Sequence, residues 1–234
     1  MSVKKKWMVG IIVFVIGGGI AVFGLAAILY RQAFLNAENL PEYVYQTSPS
    51  THEGYSHQTL TIASSMYLSD YEEYGLSSAG NDILMGETAT GQRVYQIAGQ
   101  ADYLVVYDFM SPLGVFRNTL APPFDWRTVD FNEMWLYPMV APNTQTPADP
   151  ITSTDKNLIA EALTPLRDSS ITPLSPDQVA LAQTYSLSLY SDQLSGMWYI
   201  LGVYVDTDGK VYVAENTLSK EWFPASETFA EWIQ

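Results

Sequence analysis

Two histidines, His52 and His57, flank Glu53 in the run His-Glu-Gly-Tyr-Ser-His. A zinc protease needs its two histidines four apart on one helix, so that both reach the same ion. Here the spacing is five, with Gly54 between them, in a segment without helical pattern. The expectation is solvated side chains and no metal site. Ser153-x-x-Lys156 has the spacing of a serine nucleophile with its lysine, but the accompanying Ser-Asp-Asn and Lys-Thr-Gly motifs are missing. Helix capping accounts for Ser153 and Thr154. Asp206-Thr207-Asp208-Gly209 opens like a calcium loop, yet the twelfth position, where a bidentate Glu belongs, is Thr217. A hairpin turn accounts for it. Carboxylate pairs such as Glu72 with Glu73, or Asp125 with Asp130, are expected by chance among 25 acidic residues.

There is no cysteine, no Gly-x-Ser-x-Gly, no phosphate loop and no basic stripe. Thiol chemistry and disulfides are excluded, and nothing calls for a cofactor. No catalytic residue can be assigned. The positive signal is aromatic: sixteen Tyr and six Trp. Such rings line glycan or peptide grooves by stacking, and they also fill β-rich cores. Residues 118–153 concentrate them among Pro122, Pro123, Pro138, Pro142, Pro147 and Pro150, which exclude a long helix or a central strand. This stretch reads as an aromatic-rich loop that covers the domain or presents a contact surface. Trp126, Trp135 and Tyr137 are its candidate binding residues.

The elements behind these residues divide the chain in four. Residues 1–6 are a short basic end. Residues 7–30 are 24 residues without a charge, bounded by Trp7 and Tyr30. At about 1.5 Å per residue that run is long enough to cross a bilayer as one helix. Lys4, Lys5 and Lys6 before it place the N-terminus in the cytoplasm. The competing reading is a cleaved signal peptide, whose apolar region is usually shorter. Beyond Arg31, the seven remaining Lys and Arg stand against all 25 Asp and Glu, a net of −18. That balance disfavours nucleic acid and suits a domain on the outer side of a cell membrane. The lack of cysteines leans towards a bacterial envelope.

Residues 31–58 read as a juxtamembrane stalk, and 59–234 as the folded domain. Within the domain, 83–85 and 94–97 read as a hairpin and 103–109 as a buried strand. Thr154 reads as the cap of a helix through Asp168, and Ser175-Pro176-Asp177-Gln178 as the start of another, running to Gln183. Tyr185–Tyr190, Trp198–Val205 and 210–214 form a meander, and 229–233 a terminal helix. The expected fold class is α+β: one transmembrane helix, then a domain of mainly antiparallel sheet with a few short helices.

The leading functional expectation is a membrane-anchored, extracytoplasmic, non-enzymatic module that binds or senses a protein or glycan partner in the cell envelope, held to the membrane by residues 7–30. An envelope hydrolase acting on glycan or peptide is one alternative. An accessory subunit of a membrane complex is the other.

Overall fold

The computed structural model describes residues 40–49, 55–80, 82–108, 111–139 and 149–233. The chain divides at Leu40/Pro41, and the larger unit, Pro41–Gln234, is mostly β. Seven strands close a barrel: β1 (Glu42–Pro49), β2 (Ser56–Ile62), β3 (Ser65–Ser69), β5 (Ile83–Thr88), β6 (Arg93–Gln96), β7 (Tyr103–Asp108) and β8 (Ser111–Asn118). A second, antiparallel sheet runs β10 (Ile151–Ser153), β9 (Glu133–Pro138), β11 (Leu181–Tyr190), β12 (Met197–Asp206), β13 (Val211–Ala214) and β14 (Phe223–Pro224). Strand β4 (Leu76–Ser78) leaves the barrel and pairs with the start of β12, beside β13.

The barrel closes where β1 meets β5 in parallel, over two residue pairs, Glu42 with Glu87 and Tyr43 with Thr88. Gly86 sits at this seam. A Cβ there would lie 2.4 Å from the Pro41 carbonyl oxygen and 2.8 Å from the Tyr43 ring, so only glycine lets the strands meet. Register shifts in the β5–β6 and β7–β8 pairs bend the ribbon towards closure. Leu60, Val94, Leu104, Val106 and Phe116 fill the interior. Val105, pointing the other way from Leu104 and Val106, joins the larger core shared with the second sheet. That double burial explains why β7 reads as a continuous apolar run rather than an alternation.

One face of the second sheet packs on two helices, α1 (Lys156–Arg167) and α2 (Glu227–Ile233). The Asp155 side chain caps α1 by accepting from the Asn157 N–H at 2.9 Å. Leu158, Ile159, Ala162, Leu163 and Leu166 point inward onto Met134, Leu136, Leu187, Leu189, Leu201 and Val203. Pro165 is accommodated in the last turn of α1.

The α+β assignment is corrected to a mostly β one. Residues 42–49 and 56–58, read as stalk, are strands of the barrel. The 118–153 stretch contains β9, a strand interior to its sheet between β10 and β11. Its prolines do not break β9 because they bracket it: Pro122 and Pro123 precede it and Pro138 is its last residue. The second helix start yields only a 3-10 turn, Pro176–Gln178. Its capping box forms, but the following chain gains more by pairing Leu181–Leu189 with β12, an instance of tertiary pairing overriding a local signal.

The single-pass, signal-anchor reading is corrected as well, together with the cell-membrane localisation drawn from it. Among the described residues, no helix is long and apolar enough to cross a membrane. The longest, α1, has 12 residues; at 1.5 Å per residue that is roughly 18 Å against a bilayer core of about 30 Å. Residues 7–30 themselves lie outside the described residues.

The 206–209 segment is a hairpin turn. Asp206 accepts from the N–H groups of Asp208 and Lys210 and from the Tyr212 hydroxyl. Burial works to raise the Asp206 carboxyl, but these three donors outweigh it and the net shift is downward. A carboxyl lowered by folding stabilises above its unfolded value, and that contribution is lost as pH falls through the folded value. Asp206→Asn is therefore expected to flatten the acid side of the stability–pH curve, below about pH 4. Urea denaturation of wild type and variant through that range checks it; parallel curves would refute the role.

Candidate functional site

The face of the second sheet turned away from α1 and α2 carries a row of aromatic rings. Alternation along β9 buries Met134 and Leu136 in the core and turns Trp135 and Tyr137 to the other side. On β11, Leu187 and Leu189 point inward while Ser186, Ser188 and Tyr190 point outward. On β12, Tyr199 and Leu201 point inward while Trp198 and Ile200 point outward.

Register then brings the outward residues together. Trp135 lies between Thr152 of β10 and Ser188 of β11, Tyr137 stands opposite Ser186, and Tyr190 opposite Glu133. Centroid separations are 6.2 Å for Trp135–Tyr137, 5.2 Å for Trp135–Tyr190 and 5.8 Å for Tyr190–Trp198. Successive rings are tilted by 45°, 51° and 40°, so they do not share one plane. All four rings are half-buried, while Ser188 between them is buried.

The polar groups of this face are tied to the rings. The Trp135 indole N–H donates to Glu133 Oε1 at 2.7 Å. Burial, and then the neighbouring Tyr137 phenol, push the Tyr190 hydroxyl up to about 12. It therefore stays a neutral hydrogen-bonding group at any ordinary pH. Among the residues cross-strand paired with the four rings, Glu133 carries the one charge. A hydrolytic carboxylate pair needs two acids across one bond, and this set holds one.

The structure brings Trp135 and Tyr137 together and places Trp126 elsewhere. Trp126 is 4% exposed and stacks on Tyr199, on the core side of the sheet. Arg127 and Arg167 lie over its ring at 4.5 and 5.6 Å. Its indole N–H donates to Glu215 at 3.3 Å, and Arg127 also pairs with Glu215. The Tyr71 hydroxyl donates to the same carboxylate at 2.6 Å, and the Tyr55 hydroxyl donates to Asn216 at 3.0 Å. Burial first, then Glu215, hold the Tyr71 phenol well above its ordinary value. This cluster joins the 3-10 turn after β3 to the strand end after β13. It is a junction within the fold.

The sequence missed Tyr190 and Trp198. The alternation Tyr-Ser-Leu-Ser-Leu-Tyr at 185–190 already puts Tyr190 on the side of the two serines. Its approach to Trp135 depends on strand register, which sequence does not display.

The remaining chemical candidates are separated or structural. His57 Nδ1 meets Asp70 at 3.2 Å, whereas His52 and Glu53 lie outside the described residues. Ser153 accepts from the Asp155 N–H, and Lys156 pairs with Asp130 on the surface. Glu73 is buried against Arg117 beside Glu72. Among the described residues no three His, Cys, Asp or Glu are grouped to hold a metal.

No family model matches the chain, and neither the curated proteins nor the solved structures provide a match.

Proposed function

We propose that this protein is a non-enzymatic binding module that takes its ligand on the aromatic face of the second sheet. One observation carries this reading: Trp135, Tyr137, Tyr190 and Trp198 form a contiguous row on the side of the sheet opposite the larger core, beside the smaller buried cluster of Tyr204, Tyr212 and Trp222. Outward positions of a half-solvated sheet ordinarily carry polar side chains. Large rings there lose apolar hydration when a ligand covers them, and Trp and Tyr dominate the energetics of many interfaces. Packed on their neighbours, these rings also lose little rotamer freedom on binding.

Removing two anchor rings is expected to cost roughly 2–4 kcal/mol of binding, about 30- to 1000-fold in Kd. Isothermal titration calorimetry with a mixed panel of soluble polysaccharides, basic polymers and peptides measures it. At least one class is expected to bind the wild type and to bind a Trp135→Ala/Trp198→Ala variant that much more weakly. Equal binding by the double variant would overturn the reading. Trp126→Ala serves as the contrast, because its loss is expected to lower stability without selecting against a ligand.

A further inference from the structure

Building on that binding surface, we infer that its ligand is an uncharged glycan, taken as a single soluble chain whose sugar rings stack on Trp135 and Trp198 with Tyr190 between them. The first argument is charge. From residue 41 onward the chain carries seven Lys and Arg against 24 Asp and Glu. The residues paired with the four rings include no cation. A sulfated, phosphorylated or uronic acid chain would bring anions to an acidic domain, against paired positions that hold no cation. Among those paired positions a basic partner would find one carboxylate, Glu133, one oxygen of which already accepts from the Trp135 indole.

The second argument is the polar pattern. Thr152 and Ser186 hydroxyls stand directly opposite Trp135 and Tyr137, and the Tyr190 phenol sits beside Glu133. Apolar side chains laid across this face would strip water from these groups and return no hydrogen bonds. A pyranose ring matches them. Its C–H face covers an indole, and its rim hydroxyls donate to Glu133 and exchange hydrogen bonds with the serine, threonine and tyrosine hydroxyls.

The third argument is shape. Neighbouring rings are inclined by 40–51°, so they do not form one plane. A flat crystalline surface can touch only some of them, whereas a free chain can follow the twist.

Native affinity electrophoresis of the full-length protein tests this, with gels containing hydroxyethylcellulose, xylan, glucomannan, soluble starch, polygalacturonate or polylysine, alongside pull-down on crystalline cellulose. At least one neutral soluble polymer is expected to retard the wild type, with a retardation unchanged by a tenfold rise in salt. Trp135→Ala is expected to weaken it about tenfold or more, and Tyr190→Phe by a smaller factor. Urea midpoints of both variants report whether the fold is intact. Trp135-dependent retention by polylysine or polygalacturonate, with no neutral polymer bound, would overturn the glycan assignment and leave the binding face standing. Equal retention on crystalline cellulose would overturn the single-chain form. Retardation that survives a Trp135→Ala/Trp198→Ala variant would refute the face itself.

Discussion

Arg117→Ala is expected to destabilise the protein by about 3–5 kcal/mol at neutral pH, because it strands a buried carboxylate. The Arg117 side chain is 7% exposed and that of Glu73 is 0% exposed. The Arg117 Nε–H donates to Glu73 at 2.6 Å, and a terminal N–H donates to the Ala121 carbonyl at 2.6 Å. Glu73 also accepts from the Asp70 N–H at 3.2 Å, inside the capping box of the 3-10 turn Tyr71–Glu73. The pair thus fixes the turn that carries Tyr71 to Glu215 and launches β4 into the second sheet.

The loss should also depend on pH. Burial holds the Glu73 carboxyl above its ordinary value despite Arg117. Removing Arg117 lifts it further, so the folded value lies above the unfolded one. Such a group lowers stability as pH rises from the unfolded to the folded value. The deficit of the variant is therefore largest at neutral pH and shrinks on acidification, until the unfolded carboxyl is protonated too. Urea denaturation across pH 4–8 measures this, with Glu73→Gln as the milder comparison, about 1–3 kcal/mol. A neutral-pH deficit below about 1 kcal/mol, or one constant with pH, would show that the pair does not hold the turn.

Gly196→Ala is the second large effect, about 2–5 kcal/mol, from two causes in one residue. Gly196 has φ +77°, and a Cβ there would lie 2.3 Å from the Ala98 carbonyl oxygen. Ala98 follows β6 of the barrel and Gly196 precedes β12 of the second sheet. The clash therefore falls where the two layers touch, two residues before Trp198. Gly209→Ala isolates the first cause, since Gly209 has φ +81° and a Cβ added there would meet nothing within 4 Å. It is expected to cost about 1–2 kcal/mol. Parallel denaturation of both variants separates strain from collision, and equal losses would refute the collision. If the junction positions β12, Gly196→Ala should also alter Trp198 fluorescence, and Gly209→Ala should not.

Local chemistry was legible where it is local. The β5–β6 hairpin, the apolar β7, the β11–β12–β13 meander, the 206–209 turn and the terminal helix all rest on signals within a few residues. The stalk reading gives way at 42–49, where β1 hides in the sequence because six of its eight positions are exposed. Only Tyr43 is buried, and its partners Leu60 and Val94 are far along the chain. The loop reading of 118–153 gives way at β9 and β10, because proline density over a whole stretch does not decide pairing. What matters for a strand is which ladder positions the prolines occupy.

The candidate site divides in the same way. Composition marked the aromatic excess and the 118–153 segment contributed two of the four rings, but Trp126 from that segment is core. From its residues alone, the chain determined its acidity, the absence of thiol chemistry and, along Tyr185–Tyr190, the inward or outward parity of a strand. These depend on residue identity and a period of two. Tertiary structure alone decided that Trp135 meets Tyr190 and Trp198 while Trp126 meets Tyr199. Trp126 enters the core from a 3-10 turn ahead of β9, whereas the meeting of Trp135 with Tyr190 rests on the register of β9 on β11, which is set by pairings between residues about 50 positions apart in sequence.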